Sequence, residues 1–422
     1  MSLFDYKWVD ARPYPDPIAH NTMAHLTINV GDQVATWLRA GNKYVEHIEV
    51  PMAHIAEWIV VNWWHLYHEA DTVSGSSRSG FSSRHDLSYA GNGFVFPRVV
   101  FRPEGEHVVV SNERWYAKHA HIEFLLDGEQ TVETVALQKE LHDLVEDVIN
   151  RLRDKNVNDV PWIEEWDIIK NKFDDDEKEF CRATAMLGLD PFDIEPALAN
   201  QVTTVWNEAA PLIREELMLA SDETSLGPTH EWLKESLASV SESRNTIWEE
   251  VKTAVRSRSL NSECPWEAGE KDARTVLREL GREPGPFSFD GEYAIHNIEM
   301  MSPSSRIEGC VGEDTPSCVI VSKRDTGKKF LLARALGHYI ARIGNGPAIL
   351  SKLRTPEQSR ARSFAAELLA PSEWLRNKVG TQNDIEQDQI YDLAEQLGVS
   401  EFTVQWQIQN HEIARISPYP QW

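Results

Sequence analysis

The segment from Phe330 to Ala341 constrains the fold more than any other part of the sequence. It reads Phe-Leu-Leu-Ala-Arg-Ala-Leu-Gly-His-Tyr-Ile-Ala, and its apolar residues recur with helical spacing. Arg334 and His338 interrupt this run one helical turn apart. Because a buried cation must be paired with a hydrogen-bonding partner, the segment predicts a buried helix over residues 330–343 with polar partners around Arg334.

The flanking sequence places this helix in an α+β domain. A short buried strand is predicted at residues 317–322, and a second helix at 356–369, where Pro356 suits a first helical turn. Another helix is expected at 268–280, ending at Gly281. The Cys264-Pro-Trp-Glu-Ala-Gly stretch indicates a boundary, so a third domain is assigned to residues 263–422.

Three segments of this domain resemble the ImmA/IrrE family of bacterial minimal metallopeptidases. Lys329–His338 resembles the helix that carries the family's zinc ligands. Gln358–Pro371, with Phe-Ala-Ala-Glu-Leu-Leu-Ala-Pro at its end, is similar to the later ligand helix, and Ile390–Val404 resembles the family's helix-turn-helix-like tail. The resemblance covers residues 267–415 and implies a zincin-type α+β domain.

The departures from this family concern its zinc site. In a His-Glu-x-x-His helix, the two His bind zinc and the Glu acts as general base. The first His falls on Arg334, the base on Ala335 and the third ligand, a Glu, on Gln358. Only His338 remains, whereas a zinc site needs about three protein ligands. The sequence therefore predicts a degenerate site with no metal, no cofactor and no catalytic residues.

The expected arrangement is a pseudo-site in which Arg334 stands where the zinc would stand. Its guanidinium is expected to hydrogen-bond one of three side chains, those of Glu357, Gln358 and Glu367, with a neutral His338 beside it. A structural role for these polar residues is favoured over a ligand-binding pocket.

The rest of the chain divides into two further parts. Residues 1–155 are predicted to form an α+β domain of no recognised family. It has β-type runs at 93–102, 106–111 and 119–126, a hairpin turn at Asp127–Gly128 and a closing helix at 134–152. Residues 156–262 contain no convincing strand and are expected to be an acidic helical domain or linker bundle.

Composition limits the classes of partner. The net charge of −25 argues against a broad nucleic-acid surface, because such affinity depends on Lys and Arg neutralising phosphates. No run of about 18 apolar residues predicts a membrane span, and the first residues lack a signal pattern. Four cysteines without metal spacing favour reduced thiols in the cytosol.

Two features of one N-terminal helix are further candidates. Trp58, Trp63, Trp64 and Tyr67 are a candidate partner surface, since aromatic residues concentrate at binding hot spots, but packing in a core is favoured. The spacing His65-x-x-His68 places both imidazoles on one helix face, yet no third metal ligand is identified.

These observations favour a non-catalytic regulator or adaptor that uses a degenerate peptidase domain to recognise another protein. The resemblance implies a bacterial stress, toxin–antitoxin or phage-defence setting. One alternative is an active metallo-endopeptidase with a displaced site, using His338, Glu357 and Glu367 or the His65/His68 pair. The other is a DNA-binding transcriptional regulator, although the predicted second helix of the tail, Glu401–Asn410, carries no Lys or Arg.

Overall fold

The protein has a multidomain α+β fold, with helices and several small sheets in each part of the chain. In the computed structural model the chain forms two compact units, Met1–Val202 and Thr203–Trp422. Among the described residues, no helix is long and apolar enough to cross a membrane. The structure describes residues 2–10, 14–71, 78–171, 175–240, 246–258, 264–321, 324–341, 346–380 and 383–417.

Among its described residues, the first unit contains three small antiparallel sheets. Their strand orders are β1–β2–β3 with β6 also paired to β2, then β5–β4–β10–β9, and β11–β8–β7. The strands are β1 (Phe4–Trp8), β2 (Met23–Val30), β3 (Gln33–Val34), β4 (Leu38–Ala40), β5 (Lys43–Val45), β6 (Ile48–Pro51), β7 (Val99–Glu104), β8 (His107–Asn112), β9 (Trp115–Ala117), β10 (Ile122–Phe124) and β11 (Gly128–Glu133).

Helices cover the core of this unit. The longest one buries the apolar face predicted from its spacing, including Leu141, Leu144, Val145 and Val148. The helices are α1 (Pro17–Asn21), α2 (Met52–Val61), α3 (His65–His68), α4 (Arg78–His85), α5 (Thr134–Asp154), α6 (Pro161–Asn171) and α7 (Asp175–Met186), with a 3₁₀ turn at Leu87–Ala90. The boundary between the two units falls within α8 (Pro196–Glu208).

The second unit has one mixed sheet of order β12–β14–β13–β15 and a parallel pair β16–β17. Its helices are α9 (Arg214–Leu219), α10 (Leu226–Val240), α11 (Thr246–Arg258), α12 (Pro265–Glu279), α13 (Asp325–Ala341), α14 (Pro356–Leu369), α15 (Ser372–Val379), α16 (Gln387–Leu397) and α17 (Glu401–Asn410). Its strands are β12 (Asn297–Glu299), β13 (Ile307–Val311), β14 (Cys318–Ile320), β15 (Ala348–Ser351), β16 (Asp384–Ile385) and β17 (Arg415–Ile416).

Helices α13 and α14 pack closely in the core of the second unit. Gly337 makes this approach feasible, because a Cβ added there would lie 2.9 Å from the Phe364 ring. Helix α14 begins where the sequence predicts it, since the Thr355 side chain accepts a hydrogen bond from the backbone N–H of Gln358 and Pro356 occupies the first turn. The Arg334 helix therefore lies inside the unit, as its apolar sequence predicts.

The helices predicted for residues 156–262 contribute to two cores. In the described part of this range, apolar side chains join the core of the first unit and the core of the second. Trp162 and Trp166 of α6 belong to the core of the first unit, whereas Trp248 and Val251 of α11 belong to the core of the second.

The hairpin predicted at Asp127–Gly128 is wrong. Strand β10 pairs with β4 and β9, and β11 pairs with β8 along its whole length. The two strands that flank the turn therefore belong to different sheets, because long-range pairing outweighs the local turn signal.

Candidate functional site

Arg334 lies in the middle of α13 and is 2% exposed. Its Nη1 donates to Glu308 Oε2 at 2.5 Å. Its Nη2 donates to the Ser351 carbonyl at 2.6 Å and to Gln358 Oε1 at 2.5 Å. The guanidinium is thus surrounded by acceptors from β13, β15 and α14, which is the pairing that a buried cation requires.

Glu308 is the partner that sequence reasoning missed. It lies on β13, where it is the one charged residue in Ile-Glu-Gly-Cys-Val, and its side chain is 27% exposed. A carboxylate in an otherwise apolar buried strand was the available signal, because such a group needs a cationic partner.

The side-chain amide of Gln358 hydrogen-bonds the backbone of β15 at the outer edge of the sheet. Its Nε2 donates to the Ile349 carbonyl at 2.6 Å, and its Oε1 accepts from the Ser351 backbone N–H at 3.3 Å. In a strand, the carbonyl of one residue and the N–H of the second residue after it point to the same side. Because β13 is the one strand that pairs with β15 among the described residues, the Gln358 amide fills the place where the peptide group of a further strand would bind.

The Ser351 carbonyl accepts hydrogen bonds from two guanidinium groups. Besides Arg334, the Nη2 of Arg362 donates to it at 2.8 Å. Burial, reinforced by the neighbouring charge of Arg334, lowers the pKa of Arg362 to about 10. All four residues of β15 are buried. At the end of this strand, the Ser351 carbonyl accepts hydrogen bonds from the side chains of Arg334 and Arg362.

Glu216 connects α9 to the end of β15 near Ser351. It hydrogen-bonds Ser351 Oγ and accepts from Thr355 Oγ1 at 3.3 Å. Burial raises the pKa of Glu216 to about 7, and the charge of nearby Glu357 acts in the same direction. A carboxyl group that titrates near neutrality is a candidate acid or base, but both of its oxygens contact hydroxyl groups that hold α9 against β15.

The other residues of the predicted pseudo-site lie in different surroundings. Ala335 is fully buried and His338 is 8% exposed, one turn after Arg334 on α13. Glu357 is exposed at the start of α14, where its charge acts on Glu216. Of the three partners predicted for Arg334, the structure thus brings Gln358 to it.

Glu367 belongs to a separate network, and its predicted place beside Arg334 is corrected accordingly. It is 1% exposed and accepts from Arg274 Nε at 2.8 Å, from Ser372 N at 3.2 Å and from Gln407 Nε2 at 2.9 Å. These partners lie on α12, α15 and α17. Glu367 therefore connects the tail helix α17 to the rest of the unit.

The site does not fit a catalytic zinc ion. The carboxylate and the amide oxygen near the expected ligand positions both accept hydrogen bonds from Arg334. Within the described ranges, no three His, Cys, Asp or Glu side chains are grouped so that they could hold a metal ion. A permanent guanidinium charge at this place would also repel a divalent cation.

The four aromatic residues considered as a partner surface pack against the core of the first unit rather than forming an exposed platform. Trp58 and Tyr67 are buried, and Trp63 and Trp64 pack half-buried against the same core. The ring of Trp63 contacts those of Tyr67 and Trp166, with centroids 5.1 and 4.9 Å apart. The helix break after Val61 lets successive aromatic residues reach one core.

The histidines near these aromatic residues enter a buried hydrogen-bond network. His65 Nε2 lies 3.0 Å from the Leu189 carbonyl, and burial lowers the pKa of His65 to about 4. Glu69 accepts from Arg84 and lies 3.2 Å from His85 Nε2. Burial alone would raise the pKa of Glu69, but these hydrogen bonds lower it to about 2. Glu69 is therefore an ionised partner of Arg84.

Helices α16 and α17 form the predicted helix-turn-helix-like tail. Gly398 ends α16 in the left-handed region at φ 63°, and Ser400 caps α17 by accepting from the Thr403 backbone N–H. The buried face of α17 includes Val404, Gln407 and Ile408. This tail packs against its own domain through that face.

Comparison of the sequence with protein-family models and with curated proteins gave no match.

Proposed function

We propose that this chain is a non-catalytic regulator or adaptor, and that its second unit recognises another protein with a degenerate peptidase-like domain. The observation that carries the proposal is the occupied outer edge of β15. Gln358 and Arg334 use its hydrogen-bonding groups where a peptidase would need them for its substrate.

A peptidase must hold an extended peptide, and the simplest way is to add it as a strand to a sheet edge. At β15 the Ile349 carbonyl and the Ser351 N–H and carbonyl already have side-chain partners. A peptide could bind there only by displacing buried hydrogen bonds, and each buried group left unsatisfied costs about 1–3 kcal/mol. The geometry thus argues against both substrate binding and metal binding.

The arrangement of the residues argues against the displaced-site peptidase. Glu357 is exposed, and Glu367 is committed to Arg274, Ser372 and Gln407. The His65/His68 pair adjoins Glu69, which Arg84 engages. None of these sets offers three ligands and an open position.

The acidic tail argues against a DNA-binding regulator, because α17 offers no Lys or Arg for phosphate contacts. We place the protein in a bacterial cytosol, where the thiols of Cys181, Cys264, Cys310 and Cys318 stay reduced. The stress-response, toxin–antitoxin or phage-defence setting implied by the resemblance is part of this proposal.

The proposal is tested by zinc binding. The protein is stripped of metal, supplied with zinc, passed over a desalting column and measured by mass spectrometry, with His338→Ala as control. We expect the wild-type protein and His338→Ala to retain the same low amount of zinc. The triple variant Arg334→His, Ala335→Glu and Gln358→Glu restores the family's three ligands and its base, and it is expected to retain about one equivalent.

One result would overturn the proposal, whatever the triple variant shows. If the wild-type protein retains stoichiometric zinc and His338→Ala loses it, the site is a metal site and the pseudo-site interpretation fails. Chelator-sensitive cleavage of a protein substrate by the wild type would contradict it equally.

A further inference from the structure

The outward side of the tail is acidic and carries no basic residue of its own. Residues 387–410 contain four acidic side chains and no Lys, Arg or His. All four are exposed: Asp388, Asp392, Glu395 and Glu401. The segment itself therefore supplies no positive charge to offset these four carboxylates.

Two large aromatic side chains are exposed on the same pair of helices. Phe402 at the start of α17 is 73% exposed, and Tyr391 on α16 is 55% exposed. Aromatic residues contribute most to the free energy of binding where a partner removes them from water, since each buries a large area at a low cost in side-chain entropy. An isolated exposed apolar residue needs no explanation, but here the two occur among four carboxylates.

Hydrogen bonds join the first turns of α16 and α17. Gln387 Nε2 donates to Glu401 Oε2 at 2.9 Å, and Gln405 Nε2 donates to Gln387 Oε1 at 3.0 Å. The first turns of α17 therefore lie beside the face of α16 that carries Gln387. Tyr391 is one turn further along that face, and Phe402 follows Glu401 directly.

The opposite side of α17 is fixed to the domain, so this surface is formed before any partner binds. Gln407 Nε2 donates to Glu367 and to the Ala370 carbonyl, both at 2.9 Å. Lys329 Nζ donates to the Leu397 carbonyl at the end of α16 at 2.7 Å. A preformed surface avoids the entropy cost of ordering a segment on binding.

We propose that this surface, defined by Asp388, Tyr391, Asp392, Glu395, Glu401 and Phe402, docks a basic segment of a partner protein. The partner would present apolar side chains to Tyr391 and Phe402 and Lys or Arg side chains to the four carboxylates. A nucleic acid would meet like charge at this surface, and a second copy of the chain would do the same. The inference rests on the proposed adaptor function and names the chemistry of its partner.

The test uses the full chain with 4-fluorophenylalanine at position 402 and three probes. These are a helical peptide of leucine and lysine, the same peptide with glutamate in place of lysine, and a short DNA duplex. The fluorine resonance reports contact at this surface. We expect the lysine peptide to shift it and to bind at least about tenfold more tightly than the glutamate peptide, with affinity falling as salt is added.

Matched variants separate this surface from the general negative charge of the protein. Tyr391→Ala and the pair Asp392→Lys with Glu395→Lys, each made in the chain that carries 4-fluorophenylalanine at position 402, should each weaken lysine-peptide binding about fivefold or more. Tyr44→Ala is the control, because Tyr44 is 63% exposed but lies on β5 of the first unit. All of these side chains are exposed, so folding should be preserved.

Equal binding of the lysine peptide to the wild type and to both surface variants would overturn the proposal, since the peptide would then bind the acidic protein nonspecifically. A fluorine shift with DNA, or one that depends on protein concentration alone, would also overturn it, in favour of nucleic acid or a second copy. These outcomes are independent of the zinc measurement, so the docking surface and the pseudo-site can fail separately.

Discussion

Replacing Arg334 by methionine tests whether the guanidinium holds the second unit together. Methionine keeps much of the apolar stem and removes the charge. The substitution breaks the hydrogen bonds to Glu308, to the Ser351 carbonyl and to Gln358. The expected result is a destabilised second unit and an unchanged first unit.

The expected loss of stability follows from the hydrogen-bond partners that each acceptor keeps when Arg334 is replaced. The Ser351 carbonyl keeps Arg362, and Gln358 Oε1 keeps the Ser351 N–H. The Glu308 carboxylate loses Arg334, but water can reach its 27% exposed side chain. Removing one partner of a buried ion pair costs about 3–5 kcal/mol. Because two of the three acceptors keep a partner, we expect about 3 kcal/mol.

The measurement is hydrogen exchange by mass spectrometry, because one unfolding free energy is not defined for a chain of two units. Peptides from α13 should lose about a hundredfold in protection, which corresponds to about 3 kcal/mol. Peptides from α5 of the first unit are the internal control and should not change. Arg362→Met is the matched variant, and its single hydrogen bond from a half-buried side chain predicts about 1 kcal/mol.

A loss of less than about threefold in α13, or an equal loss in α5, would refute this reasoning. The double variant with Glu308→Leu provides a second check. Since it removes both charges, it should cost less than the sum of the single substitutions. Simple additivity would show that Arg334 and Glu308 are not coupled.

Three further predictions concern other positions in the second unit. Burial raises the pKa of Glu216 from 4.5 to about 7, so the folded unit keeps a proton that the unfolded chain releases. The contribution of Glu216 to stability should therefore be fully present below about pH 4.5 and be lost as the pH rises through about 7, so Glu216→Gln should remove this component of the pH dependence in urea unfolding. Glu367→Ala leaves several buried donors unpaired, so it should cost about 3 kcal/mol and speed hydrogen exchange in α17; an unchanged α17 would contradict the connecting role. Gly269→Ala should cost at least about 2 kcal/mol, since its Cβ would lie 2.2 Å from the Arg360 carbonyl oxygen. The control Gly285→Ala, with its nearest contact at 3.6 Å, should change thermal unfolding little.

Local sequence signals predicted the helices around the site well. The bounds of α14 follow from a capping threonine and a first-turn proline. The buried helix around Arg334 follows from its apolar run, although it starts earlier, at Asp325. Both signals act within a few residues, which is the range over which hydrogen bonds and helix periodicity fix secondary structure.

Contacts between distant residues could not be predicted in this way. Glu216 reaches Ser351 across a separation of 135 residues, and its segment carries no sign of that partner. Strand β15 has four residues between two helices, which is too short for a periodic pattern. The error at Asp127–Gly128 has the same origin, since the turn signal is local and the pairing of β11 with β8 is not.

Glutamine at position 358 has a structural consequence that a glutamate would not have. A glutamate carboxylate has only acceptors, whereas a glutamine amide has both a donor and an acceptor. Gln358 uses the donor for the Ile349 carbonyl and the acceptor for the Ser351 N–H and for Arg334. A carboxylate at this position would face the Ile349 carbonyl with a second acceptor, although it would pair better with Arg334. Arg334 and Gln358 are therefore coupled: the amide covers the strand edge, and the guanidinium fixes which way the amide points.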